Sequence, residues 1–134
     1  MICAVDTNVI LDVLTDDPEH GARSERLLAE ALDTGSLVIC ELVYAELVPQ
    51  FESQEALDST LLEMGARVIE GGVEVAWGAG RKMVEYRAAG GSRQRLLADF
   101  YIGAHAMLRA DALLTRDRGL YRTYFPELNV IGGE

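Results

Sequence analysis

The chain has 134 residues, 49% of them hydrophobic and 25% charged, which suits one soluble domain with a buried core. No apolar stretch reaches the ~18 residues of a membrane span, the strand-like start meets Asp6 too early for a signal peptide, and Cys3 and Cys40 form neither a disulfide framework nor a metal-ligand spacing. The expectation is a cytoplasmic protein with reduced thiols, residues 1–134 forming a single domain, and the net charge of −10 argues against tight nonspecific binding to nucleic acid.

In chain order, the apolar run Ile2–Val5 predicts a strand, and Asn8–Leu14 a helix. Between them stands Asp6-Thr7-Asn8, all suited to a helix N-cap; an acid there also suits the helix dipole. Asp16-Asp17-Pro18 separates that helix from a second, Glu19–Thr34, which Gly35 ends. A strand over Leu37–Ile39 precedes helices over Leu42–Pro49 and Ser53–Met64. Then come a strand at Arg67–Ile69, a long helix at Val73–Ala89 stopped by Gly90-Gly91, and a helix at Leu97–Ala110. Strands at Ala112–Thr115 and Asn129–Ile131 close the chain. Strands alternating with helices mean β-α-β units and an α/β fold: a short central parallel sheet of four to five strands with helices on both faces.

In such a sheet ligands bind outside the carboxyl ends of the strands. Asp6 directly follows the first strand, and Glu46 falls one turn into the helix that leaves the second. Asp117 follows the fourth strand. Asp99 heads the inward stripe Ile102, Gly103, Ala106 and Ala110 of the helix before that strand. Each acid has a plainer reading alone. Asp99 suits a cap or a partner for Arg95, Glu46 a solvated helix face, and Asp117 a turn in "TRDRG". Taken together, the topology sends all four to one sheet edge, where like charges repel unless a cation intervenes. Oxygen ligands of this kind suit Mg2+ or Mn2+, and the chemistry expected of them is metal-assisted phosphodiester hydrolysis. Neither histidine is needed as a base: His105 lies mid-helix and reads as packing or surface, and His20 lies in an exposed helix start.

Charge is unevenly spread. Residues 1–74 hold 16 acids and 3 bases, residues 75–134 hold 6 acids and 9 bases. The stretch "RKMVEYRAAGGSRQR" offers Arg81, Lys82, Arg87, Arg93 and Arg95 as contacts to nucleic-acid phosphates, or else a solvated helix face and loop.

Four stretches in order, "VDTNVILDVL", "ICELVYAEL", "LLADFYIGAHA" and "LLTRDRGLYRTYFPELNVI", resemble PIN-domain ribonucleases, and within them the VapC-type toxins of toxin–antitoxin pairs. The resemblance spans essentially the whole chain. It implies a PIN-like three-layer sandwich and an acidic quartet at Asp6, Glu46, Asp99 and Asp117. It also implies auxiliary polar positions at Asn8 and Thr115, Mg2+ or Mn2+ dependence, RNA cleavage, a homodimer and a VapB-type antitoxin that blocks the site. One position departs from the pattern: Cys40 stands where the family often has serine, and a thiol is a weaker donor and a poor Mg2+ ligand.

Two other classes compete. A catalytically silent PIN-like module would keep the acids but only hold RNA or a protein. A phospho-acceptor signalling domain would want an acidic pair after the first strand and a lysine after the last; here Thr7-Asn8 follows Asp6, and the lone lysine, Lys82, lies in the long helix.

Overall fold

The computed structural model describes residues 1–91 and 97–132. The elements run β1 (Ile2–Val5), α1 (Thr7–Leu14), α2 (Gly21–Thr34), β2 (Ser36–Ile39), α3 (Glu41–Leu47), α4 (Gln54–Met64) and β3 (Ala66–Val68). They continue with α5 (Val73–Ala88), α6 (Leu97–Arg109), β4 (Ala112–Leu114), α7 (Arg118–Tyr124) and β5 (Val130–Ile131). All strand pairs are parallel, in the order β3-β2-β1-β4-β5. Right-handed crossovers place the helices of the β1-to-β3 half on one face and those of the β3-to-β5 half on the other. Accordingly α2 packs on β2 and α4 on β3, while α6 crosses β1 and β4 with α5 stacked on it. Sandwiched in this way, the three inner strands are buried along nearly their whole length, which is why they read as continuous apolar runs.

The boundaries follow local chemistry. The second helix starts at Gly21, not at Glu19 as expected, because the Asp17 carboxylate accepts the N–H groups of Glu19 (2.9 Å) and His20 (2.8 Å) and holds them in a turn. The helix expected over Leu42–Pro49 is α3 followed by a 3-10 turn, Val48–Gln50, since Pro49 has no N–H with which to continue the helix. Ser53 caps α4 through Ala56 N, and Gly65 ends that helix with a φ of 77°.

The sequence pattern gave no warning of α7. It is seven residues long and contains Gly119, so its helicity comes from packing rather than propensity. Tyr121 and Phe125 are its anchors, both buried. Around them Tyr86, Phe100 and Tyr124 meet edge-to-face at centroid distances of 5.3 to 5.8 Å, joining α5, α6 and α7. Pairs of this kind contribute roughly 1 kcal/mol each beyond their burial. Gly103 lets Phe125 press on α6: a Cβ there would stand 2.4 Å from the ring.

Candidate active site

The strand order reverses direction at β1, which leads to β2 on one side and lies against β4 on the other. That switch point opens a crevice at the carboxyl ends of β1 and β4. Asp6 is the first residue beyond β1, and its N–H donates to Leu114 O at 2.9 Å, tying it to the end of β4. Its backbone is extended (φ −73°, ψ 151°), and its Oδ1 accepts the N–H of Thr7 at 2.7 Å. The helix-cap reading is therefore correct, and it describes one oxygen only. Oδ2 accepts the Thr115 hydroxyl (2.8 Å), the Tyr121 hydroxyl (3.2 Å) and, at 3.5 Å, the Asn8 amide. Only 6% of Asp6 is exposed. Burial, with the Asp99 charge adding to it, pushes its carboxyl up to about 6 despite the hydrogen bonds from Thr115, Thr7 and Tyr121.

The other expected residues gather around this point. Glu46, mostly exposed, accepts the Thr7 hydroxyl through Oε1 at 2.5 Å, so Thr7 links it to Asp6. Thr115 donates to Asp6 and accepts the Asp117 N–H at 2.9 Å, which brings Asp117 to the same edge. Asn8 accepts the Arg116 N–H at 3.2 Å. Asp99 sits half-buried in the first turn of α6, and its charge acts on both Asp6 and Tyr121. The Tyr121 phenol is held far above its ordinary range by burial and by Asp6, Asp99 and Asp117, so it always carries its proton. Among the described residues, no three Asp, Glu, His or Cys side chains stand close enough together to hold a metal ion as placed. The acids thus lie at one edge without forming a closed cage among the described residues. A set made wholly of oxygens, with one buried carboxylate facing another acid, fits a hard divalent cation by charge and donor type.

A family model described as PIN domain matches residues 3–126. The chain belongs to the PIN domain family. Its fold is similar to that of a chain in VapBC2 from Rickettsia felis bound to a DNA fragment from its promoter, with a TM-score of 0.71, 21% identity and 100% of both chains covered. It is likewise similar to a chain in VapBC-1 from nontypeable Haemophilus influenzae, with a TM-score of 0.72, 21% identity and 98% of each chain covered. For FitAcB from Neisseria gonorrhoeae the TM-score is 0.65 and the identity 22%, over 98% of this chain and 97% of that one. No curated protein matches the chain significantly by sequence.

Several residues that organise this PIN domain were not foreseen. Asp12, 3% exposed, accepts Ser24 Oγ at 2.7 Å and both Nε (2.7 Å) and Nη2 (3.1 Å) of Arg116. This fork clamps α1 and α2 to the segment carrying Thr115 and Asp117. The available signal was an acid inside the apolar helix "NVILDVL". Thr7 left no signal beyond its cap propensity, and Tyr121 none, because no local pattern marks α7. Glu41, a further acid on this edge, accepts Gly71 N (3.1 Å) and Tyr101 OH (3.0 Å), which together tie the β3–α5 segment to α6. His105 is buried and lies 2.6 Å from Ile69 O, with burial lowering its pKa: of the expected roles, packing or surface, it takes packing.

Cys40 is the N-cap of α3 and makes no side-chain cap bond, where a serine hydroxyl could have done so. Burial pushes its thiol up to about 11, so it is protonated and unsuited to binding metal. Of the expected RNA contacts, Arg81 and Arg87 are exposed on α5. Lys82 lies 5.3 Å from the centre of the Phe125 ring and 3.6 Å from Glu85, so much of its charge is already engaged. Arg93 and Arg95 lie outside the described residues. No described helix is long and apolar enough to cross a membrane.

Proposed function

We propose that this PIN domain is a divalent-metal-dependent endoribonuclease of the VapC type, hydrolysing RNA phosphodiester bonds as the toxin of a toxin–antitoxin pair. One observation carries the reading: a nearly buried aspartate at the switch point, its charge opposed by a second acid, with two more acids linked to it through Thr7 and Thr115. Asp6, Glu46, Asp99 and Asp117 would hold Mg2+ or Mn2+. The chemistry supplied by such an ion when bound is a lowered pKa for water and an offset to charge on the phosphate and leaving oxygen. The protein's own part is positional. Thr115 couples Asp6 to the backbone of Asp117, Thr7 orients Glu46, and Asn8 links α1 to the Arg116 backbone. Scissile phosphate would enter past the exposed arginines of α5, Arg81 and Arg87, whose charge offsets the repulsion of an acidic protein.

The fold neighbours come from VapBC and FitAcB assemblies, which supports a VapB-type antitoxin as partner; the homodimer is proposed on the family resemblance alone. A basic peptide segment suits the acidic crevice, with an Arg or Lys set against the quartet.

A specific observation also favours a second reading, a catalytically silent RNA- or protein-binding module: no three described acids stand at cation-holding distance. Cleavage of a synthetic RNA by purified protein, with Mg2+, Mn2+ or a chelator, decides between them. Asp99→Asn is expected to lose at least ~100-fold in rate, the scale of removing a principal electrostatic contributor. Full activity in that variant removes Asp99 from the site. RNA binding without cleavage under any metal favours the silent module.

A further inference from the structure

The Tyr121 hydroxyl is buried, lies on an element the sequence pattern did not reveal, and points at Asp6 from 115 residues away. It has no access to substrate, so it cannot act on one directly. Its effect must pass through Asp6. Each carboxylate oxygen offers about two lone pairs to donors. Oδ2 of Asp6 takes the Thr115 hydroxyl at 2.8 Å and the Tyr121 hydroxyl at 3.2 Å, which fills it; the Asn8 amide, at 3.5 Å, is at the limit of a hydrogen bond. Among the described residues Oδ1 takes the N–H of Thr7 alone, at 2.7 Å, which leaves one lone pair.

Resting on the metal-dependent reading above, we propose that Tyr121 is a positioning residue of the site. With Thr115 it occupies Oδ2, fixes the plane of the Asp6 carboxylate and leaves Oδ1 as the oxygen that meets a divalent cation. Three separate elements enforce this: α1 through the backbone of Thr7, the segment after β4 through Thr115, and α7 through Tyr121. The phenol suits the task because its ring is anchored beside Phe125, with centroids 6.2 Å apart, so the hydroxyl cannot swing away. Loss of a group that orients a metal ligand in this way typically costs about 10- to 100-fold in metal affinity or activity.

Tyr121→Phe removes the hydroxyl and keeps the ring. Titration calorimetry with Mn2+ alone, at fixed pH and without RNA, is the measurement, run on wild type, Tyr121→Phe, Thr115→Val and Asp6→Asn. The expected result is a Kd for Mn2+ about tenfold weaker in Tyr121→Phe, with Thr115→Val weakened in the same direction. Thermal melts in EDTA separate this from a packing role: a hydroxyl that merely stabilises the fold would lower the melting temperature and leave Kd unchanged, which overturns the proposal. Should Tyr121→Phe fail to fold, an unchanged Kd in Thr115→Val overturns it equally, since the two hydroxyls share one oxygen. If wild type takes up no Mn2+, or Asp6→Asn binds it as tightly, the metal reading itself falls and the role of Tyr121 with it. If wild type and Asp6→Asn differ as expected while Tyr121→Phe matches wild type, only the role of Tyr121 falls.

Discussion

Asp6 carries two loads that pull in opposite directions. Its backbone and Oδ1 cap α1, which stabilises the fold, while burial and the Asp99 charge oppose its ionisation. With the folded carboxyl pushed up to about 6, the native state holds a proton that the unfolded chain has already released. The sign follows: this group imposes no cost below about pH 4, where both states are protonated, and the metal-free protein loses stability as pH climbs from there through about 6. The total is on the order of 3 kcal/mol, reached near neutrality and flat above it. Asp6→Asn removes the charge and keeps the shape. In EDTA at pH 7.5 it is expected to melt roughly 10 °C higher than wild type, and to lose the pH dependence between about 4 and 6. Added Mg2+ should raise the melting temperature of wild type far more than that of the variant, because ligand stabilisation follows RT ln(1 + [L]/Kd). A variant that melts lower in EDTA at pH 7.5 would mean that the cap, not the buried charge, dominates at this residue.

Among the elements, the segment from Thr115 to Asp117 is held by hydrogen bonds to Asp6 and Asn8 and by one buried ionic fork. Arg116 reaches back to Asp12 of α1, which is 3% exposed and also takes Ser24 of α2. Arg116→Ala leaves that carboxylate buried with Ser24 as its one remaining side-chain partner among the described residues, and is expected to cost about 3 kcal/mol, read as a lower urea midpoint at an unchanged m value. A change under ~0.5 kcal/mol would show that the guanidinium is no more than a surface partner. The α6–α7 packing is tested separately by Gly103→Ala. Its new Cβ would fall 2.4 Å from the Phe125 ring, and overpacking of this kind costs about 2 kcal/mol. Long elements with a periodic apolar face, such as α2 and α6, were legible from the sequence to within a few residues. The missing one, α7, spans two turns whose burial is spread over an aromatic cluster from three helices. A pattern of local periodicity has no access to that cluster.

Charge acts at the scale of the whole molecule. The protein is acidic by ten units, yet the bases concentrate after residue 74, and two of them, Arg81 and Arg87, stand exposed on one helix. If they bind RNA phosphates, replacing both with Ala should lower the slope of log K against log salt by about 0.7 for each phosphate no longer neutralised, measured on a single-stranded RNA. An unchanged slope would return them to a solvated helix face. Lys82 is expected to contribute less than either arginine, because Phe125 and Glu85 already engage its ammonium.

From the sequence alone came the alternation of apolar runs with helical stripes, and with it a parallel sheet. The positions of Asp6 after β1, Glu46 in the helix leaving β2, Asp99 at the head of an inward stripe and Asp117 after β4 came from it too. These are properties of short windows, where side-chain period and chain direction decide which residue emerges at which edge. Tertiary structure decided what each acid touches. Tyr121 reaches Asp6 across 115 positions, Arg116 reaches Asp12 across 104, and Thr7 meets Glu46 across 39. Partners so distant along the chain are set by how β4 and α7 pack beside β1, and no local pattern encodes that packing.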